Sequence, residues 1–203
     1  MTESLWDVTA EQLLARTASA DPTPGGGAIA AVVGAFGAGL VQMALAVTIQ
    51  TADEAARTQL AETQTRAQRL RGSLAQGADR DVEAFDLLMR GYRLPRDSEA
   101  QRIERARTVA DLTASAAGHA LWIGDHCAAG IDLADEAEAL VKASIVSDVL
   151  AGRDLLRGAG LAALRTADVN IAALESSAAP ERHDLHDRRA VLVARLSEGG
   201  APA

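Results

Sequence analysis

Acidic side chains are the first candidates for chemistry in this sequence. Asp81 and Asp86 lie five residues apart in a predicted helix and do not share one face, while Asp148 begins a separate helical run. A carboxyl group whose pKa is raised by a dry pocket can take a proton from water and return it to a leaving group. A solvated surface role is favoured for Asp86. For Asp148 the alternative is a charge that caps the start of its own helix.

Three consecutive glycines follow two prolines in the segment DPTPGGGAIAAVVGAFGAG, residues 21–39. Thr23 can cap a helix with Pro24 at its first position, which leaves Gly25, Gly26 and Gly27 in the first turn. Their amides lack helical partners and no Cβ screens them, so an anion or a flat polar ring can reach the main chain. The alternative is that these glycines only permit close contact with another helix.

Two cationic residues have both a binding and a structural interpretation. Lys142 is the only lysine in a sequence with nineteen arginines. Its ammonium group can bind a carboxylate, or it can be an ordinary solvated charge near a helix start. Arg93 precedes Leu94-Pro95 at a predicted helix end, where it can bind an anionic ligand or the last helix carbonyls.

The histidines and Cys127 show no metal-binding spacing beyond the weak i,i+3 pair His183 and His186, so we expect no metal.

Composition excludes several classes of protein. A net charge of -8 without a basic stripe argues against nucleic-acid binding. Cys127 is the single cysteine, which favours a reducing compartment, and the acidic, polar N-terminus is unlike a signal peptide, so we expect a cytoplasmic protein. Residues 28–49 carry no charge and are long enough to span a bilayer, but their small residues repeat every four positions. This pattern favours a buried helix over a membrane span.

The chain contains no convincing strand, and its helix signals predict an all-α antiparallel bundle of long helices around a small-residue central helix. Because that helix is apolar nearly all round, we expect a homodimer to cover it. Capping boxes at Thr9–Gln12 and Ser98–Gln101 predict two helix starts. Between them we predict an apolar helix that ends at about Gln50 and a polar helix that begins at Asp53, has a kink near Gly77 and ends at 91–95. The helix from Ser98 runs towards Cys127, and Asp132 caps a last helical stretch that extends with interruptions from Leu133 to about Leu174.

We divide the chain into a helical domain, residues 1–178, and a charged C-terminal helix or tail, residues 179–203, with Pro180 near its start. Val191, Leu192 and Leu196 can dock this segment on the domain, or it can be a loose tail.

Four collinear motifs resemble the cyclodeaminase/methenyltetrahydrofolate cyclohydrolase family. They are the DPTPGGG opening, DVEAFDLLMRGYRLP at 81–95, an arginine in the next helix at Arg105, and Ser147-Asp148 followed by Asn170. The sequence departs from the family pattern at Lys142 and near Thr166, where asparagines are common.

The resemblance implies an all-helical, dimeric, folate-binding enzyme that uses no metal or redox cofactor. The expected reaction is hydrolysis of 5,10-methenyltetrahydrofolate. The alternatives are formiminotetrahydrofolate cyclodeaminase and a non-catalytic dimer that binds folate or a protein. The resemblance assigns proton transfer to Asp148, or secondarily to Asp81. It places Ser147 in the substrate site and implies that Asn170 orients the pterin or the water. The folate would contact the tip formed by Thr23, Pro24, Gly25, Gly26 and Gly27, and its glutamate tail would bind Arg93, Arg105 or Lys142.

Overall fold

A computed structural model describes residues 3–174 and 182–198, which form six helices and no strand. The helices are α1 (Ala10–Thr17), α2 (Gly26–Ile49), α3 (Glu54–Tyr92), α4 (Glu99–Glu138), α5 (Val146–Ala173) and α6 (Arg182–Glu198). The prediction of an all-helical protein is therefore confirmed.

Local capping signals predicted the helix starts well. Thr9 and Ser98 each form a complete capping box, with Gln12 and Gln101 respectively as the returning side chains. The Asp53 carboxylate caps α3 by accepting a hydrogen bond from the Ala56 amide. These side chains satisfy amides that a helix start otherwise leaves unpaired.

The start of α2 differs from the prediction. The cap is Gly25, which has extended backbone and no side-chain hydrogen bond, and the helix begins at Gly26. Thr23 does not cap the helix and Pro24 lies buried before it instead of in its first turn. The glycine amides thus remain without a cap from their own segment.

The predicted break after Gly130 was wrong because glycine was interpreted as a helix breaker. α3 passes Gly77 without a break, and α4 passes Gly130 and Asp132 and ends only at Glu138. A Cβ at Gly77 would lie 2.7 Å from Trp122 Cζ3, and one at Gly130 would lie 2.8 Å from Leu156 Cδ2. Both glycines therefore serve interhelical packing, and the chain turns at 139–145 instead.

The long helices pack antiparallel to their neighbours. α2 lies against both α3 and α5, and α4 also contacts α3 and α5. α2 and α5 approach most closely at Gly37 and Gly152, where a Cβ on either residue would lie 2.7 Å from the carbonyl oxygen of the other. This contact needs two glycines because the backbones themselves touch.

The C-terminal helix α6 packs on α4 and α5. Of the two alternatives, docking is the one observed: Leu192 and Leu196 are buried, whereas Val191 is 61% exposed and Leu185 supplies the third buried contact. The boundary predicted near residues 178–180, including Pro180, lies outside the described residues.

In the described part of the chain, α2 alone is long and apolar enough to cross a membrane, and most of its apolar stretch is buried inside the protein. A core helix of a soluble protein has the same properties.

Candidate active site

A cavity of about 430 Å³ opens at the N-terminal end of α2. Because α2 runs antiparallel to α3 and α5, its first turn meets the C-terminal halves of both helices. The lining combines exposed main chain, one carboxylate, one amide, one guanidinium, two hydroxyls and three apolar side chains. Its residues are Pro22, Thr23, Gly25, Gly26, Gly27, Asp81, Phe85, Arg165, Thr166, Val169 and Asn170.

Helical spacing explains how the side chains converge. Asp81 and Phe85 are four residues apart on α3, so they stand one above the other on the same face. Thr166 and Asn170 have the same spacing on α5. Each wall of the cavity thus presents an aligned pair towards the glycine tip.

The glycine tip is shaped around the Asp81 carboxyl group. A Cβ at Gly27 would lie 2.7 Å from Asp81 Cγ and 2.8 Å from Oδ2, closer than real atoms come. By contrast, a Cβ at Gly25 or Gly26 would find ordinary contacts of 3.5–3.6 Å. Gly27 therefore lacks a side chain because Asp81 occupies that space.

Burial raises the pKa of the Asp81 carboxyl group from its ordinary value of 3.8. The charge of His119 and a hydrogen bond from the Ala28 amide act in the opposite direction, but burial is the largest effect. A carboxyl group with a raised pKa at the wall of a cavity is suited to accept and return a proton.

Asp81 also changes what the tip can bind. The free amides at the start of α2 favour a negative charge, and the Asp81 carboxylate already provides one at Gly27. A second carboxylate at the same place would be repelled. The tip is therefore suited to the hydrogen-bonding edge of a ring more than to a ligand carboxylate.

The structure separates the predicted site residues into two groups. Thr23, Gly25, Gly26, Gly27, Asp81 and Asn170 line the cavity, and Pro24 is buried beside it. Lys142, Ser147 and Asp148 lie at the other end of α5, which is about 40 Å long. The Lys142 amide donates to Thr48 Oγ1 at 3.3 Å, near the C-terminal end of α2. Within one chain, then, Asp148 does not reach the glycine tip, contrary to expectation, because the two lie at opposite ends of the same helices.

Arg93 and Arg105 also lie outside the cavity lining. Arg105 donates to the Tyr92 carbonyl from Nε at 3.2 Å and from Nη2 at 3.1 Å, and it stacks over the Tyr92 ring. It thereby binds the carbonyl at the C-terminal end of α3, which is the structural role that the sequence suggests for Arg93. Arg93 is exposed just beyond the helix end.

Comparison with known proteins identifies the family. A sequence model of the family described as Formiminotransferase-cyclodeaminase matches residues 9–184.

The chain belongs to the formiminotransferase-cyclodeaminase family.

This chain is similar to the methenyltetrahydrofolate cyclohydrolase of Methylorubrum extorquens, with 32% identity over 194 residues, covering 95% of this chain and 91% of the relative. The crystal structure of formiminotetrahydrofolate cyclodeaminase from Thermotoga maritima has the same fold, with a TM-score of 0.82, 19% sequence identity, and coverage of 97% of this chain and 93% of the other.

The cavity residues that the sequence did not predict are Pro22, Phe85, Arg165 and Val169. Phe85 lies in the quoted segment DVEAFDLLMRGYRLP at helical spacing from Asp81, so its position held a usable signal. Val169 precedes Asn170 but has no distinguishing chemistry. Arg165 is one of nineteen arginines, and only the packing of α5 against the tip selects it. Among the described residues, no group of three or more His, Cys, Asp and Glu side chains is placed to hold a metal.

Proposed function

We propose that this protein is a methenyltetrahydrofolate cyclohydrolase, which hydrolyses 5,10-methenyltetrahydrofolate to 10-formyltetrahydrofolate. Family membership and the cyclohydrolase relative support the reaction. The observation that carries the assignment of the site is the Asp81 carboxyl group, with its raised pKa, seated on the bare glycine tip of a cavity.

The cavity suits a flat cationic ring. The methenyl carbon lies between two nitrogens in a delocalised cation, and Asp81 supplies a negative group beside it. Phe85 and Val169 provide apolar walls, while the tip amides and Asn170 offer hydrogen bonds to a polar ring edge. Arg165 is the cation in the lining, so we assign the substrate's anionic part to it, with Arg93 outside the lining as a further candidate.

Asp81 serves as the proton carrier in this proposal. A water molecule forms a bond to the methenyl carbon and gives a proton to the Asp81 carboxylate, which leaves a neutral carbinolamine. Asp81 then protonates N5 as the bond from carbon to N5 breaks. The hydroxyl group loses its proton to water and becomes the carbonyl of the formyl group, which stays on N10. No oxidation state changes, so the reaction calls for no redox cofactor.

Asp148 enters the site only through a second copy of the chain, and we propose a homodimer. Phe36 and Val47 on α2 are 61% and 38% exposed, and Met43 is 36% exposed. With Leu40 they form a stripe on one side of a helix whose other sides are buried. A twofold axis that pairs this stripe with itself in antiparallel order would set the tip of one α2 beside the far end of the other, where Lys142, Ser147 and Asp148 lie.

Formiminotetrahydrofolate cyclodeaminase is the second candidate, favoured by the description of the matching family. In that reaction N10 attacks the formimino carbon, and the same carboxyl group takes the N10 proton and passes it to the amino group, which leaves as ammonia when its bond to that carbon breaks. The third outcome is a dimer that binds folate without catalysis. A cytoplasmic location, no nucleic-acid binding and no membrane association remain proposals, supported by the charge of -8 and the single cysteine.

One assay separates these functions. Purified protein is added to 5,10-methenyltetrahydrofolate and the near-ultraviolet band of the substrate is followed. Faster decay than in buffer supports the cyclohydrolase, and formation of the band from formiminotetrahydrofolate with ammonia release supports the deaminase. Asp81→Asn is expected to lower kcat by about 10²–10⁴-fold. Full activity of this variant would remove Asp81 from the mechanism, and Asp86→Asn serves as the matched control.

A further inference from the structure

His119 on α4 is near enough to Asp81 for its charge to act on that carboxyl group, and it lines a groove formed by other residues of α3 than those of the substrate cavity. Its Nε2 is 3.0 Å from the Gly77 carbonyl oxygen, and Gly77 is one helical turn before Asp81. Because a carbonyl only accepts hydrogen bonds, Nε2 carries the hydrogen of this contact. The hydrogen bond therefore sets the tautomer.

Packing holds the His119 ring in place. It stacks on Trp122 with ring centroids 5.6 Å apart and an interplanar angle of 12°. Trp122 lies directly over the bare Gly77 backbone, where a Cβ would be 2.7 Å from Cζ3. The imidazole is thus fixed to the same turn of α3 that leads to Asp81.

A second groove of about 230 Å³ reaches His119. It shares no lining residue with the glycine-tip cavity. Its lining is Arg80, Glu83, Ala84, Leu87, Leu112, Ser115 and His119. His119 therefore contacts solvent through this groove, while Asp81 faces the substrate cavity.

We propose that His119 is a positioning residue that acts through Asp81. When protonated on Nδ1, it favours the ionised carboxylate that accepts the proton of water, and its hydrogen bond to Gly77 holds that turn of α3. The inference rests on the proposed role of Asp81 and adds a residue that does not touch the substrate.

The surroundings of His119 contain few competing charges. From α3 it faces Asp81, Arg80 and Glu83, and from α4 it faces Ser115 and Trp122, with His126 on the far side of Trp122. At the neighbouring Gly118, α6 presents the apolar Leu185. Among these groups, His119 is the cation that lowers the pKa of Asp81.

The test compares His119→Gln with His126→Gln. Glutamine keeps a donor for the Gly77 carbonyl and removes the charge. His126 packs against Trp122 with ring centroids 3.8 Å apart and an interplanar angle of 39°. Its replacement therefore removes an imidazole that contacts the same tryptophan but is not among the groups that affect the pKa of Asp81. For His119→Gln we expect the acidic limb of the kcat/KM profile to move to higher pH, because loss of a positive charge raises the pKa of Asp81. KM at the plateau should be unchanged, and His126→Gln should follow the wild type.

A carboxyl-carbon NMR titration of aspartate-labelled protein, with the Asp81 signal assigned from Asp81→Asn, gives a readout without substrate. A higher Asp81 pKa in His119→Gln supports the proposal even if the protein catalyses another reaction. Superimposable Asp81 titrations in wild type and His119→Gln overturn it. Equal losses of activity at every pH in both histidine variants also overturn it, since they indicate only a structural role for the stack.

Discussion

Gly27 is bare because a carboxylate from another helix sits where its side chain would be. This contact explains why a glycine run occurs at a helix start, although each glycine lowers helix stability by about 0.5–1 kcal/mol relative to alanine. Both interpretations of the run hold at different positions. Gly27 permits a close contact, while Gly25 and Gly26 expose main chain to a cavity.

Gly27→Ala tests this contact. The new methyl group must displace the Asp81 carboxyl group, so we expect a loss of stability of about 1–3 kcal/mol together with a loss of turnover. Gly158→Ala is the control, because nothing lies within 4 Å of a Cβ at that helical position. That variant should gain about 0.5–1 kcal/mol of stability. Chemical denaturation of both variants measures the difference, and a Gly27→Ala protein as stable and active as wild type would contradict the packing.

The pH dependence of stability tests the burial of Asp81. Since folding raises the pKa of this group, the folded state favours the protonated form, and ionisation costs stability as the pH rises above the ordinary value of 3.8. We expect Asp81→Asn to have a higher Tm than wild type at pH 7, with the difference shrinking as the pH falls towards 4. Thermal unfolding across this range measures it. A constant difference at all pH values would show that charge is not the cause.

At the scale of elements, α6 supports the α5 wall of the candidate site. Arg189 on α6 binds both carboxylate oxygens of Asp168, from Nε at 2.5 Å and from Nη2 at 3.1 Å. This hydrogen bonding, with the charges of Arg189 and Arg165, lowers the pKa of Asp168 against a smaller effect of desolvation. Asp168 lies between Thr166 and Asn170 in sequence, so the ion pair anchors the helix segment that lines the cavity.

Asp168→Asn should weaken this anchor. Because the pKa of Asp168 is lowered in the folded state, its contribution is present above the ordinary value of 3.8 and is lost as the pH falls below it. Both partners are partly exposed to solvent, so we expect a loss of about 0.5–1 kcal/mol at pH 7 that decreases at high salt. Urea unfolding at pH 7 and in acid measures the effect. A loss that persists unchanged at acidic pH would contradict this account.

At the scale of the whole molecule, the exposed stripe on α2 predicts self-association. Phe36→Asp places a charge in that stripe, and we expect the dimer to dissociate and activity to fall with it. Val191→Asp is the matched control, because Val191 on α6 is also 61% exposed but lies outside the stripe. Light scattering after gel filtration gives the mass of each variant. A wild-type monomer, or a Phe36→Asp dimer with full activity, would contradict the proposed interface.

Mixing two inactive variants tests whether the site includes residues from both copies. If Asp81 of one chain works with Asp148 of the other, a heterodimer of Asp81→Asn and Asp148→Asn contains one intact site and one doubly altered site. Co-expression with two affinity tags should then restore up to half of the wild-type activity. If both residues act within one chain, every site stays impaired and the heterodimer remains inactive. Full activity of Asp148→Asn alone would remove Asp148 from the site.

Local signals determined much of this protein from sequence alone. Capping residues set the starts of α1, α3 and α4 because they bond to amides only three residues away. The absence of strands from residues 3–174 and 182–198 followed from the same short-range patterns. Asp81, Asn170 and the glycine tip were selected by motifs, and they converge in one cavity.

Tertiary structure decided what the glycines do and which acid lies beside the tip. A glycine that breaks a helix and one that admits a neighbouring side chain look alike in sequence, so Gly130 was assigned wrongly. Asp148 and Asn170 belong to one motif, yet a rigid helix keeps them at opposite ends of the molecule, whereas Asp81 reaches the tip from a different helix. The sequence determines how far apart two residues lie along one helix, but only the packing of antiparallel helices determines which helix ends lie next to each other.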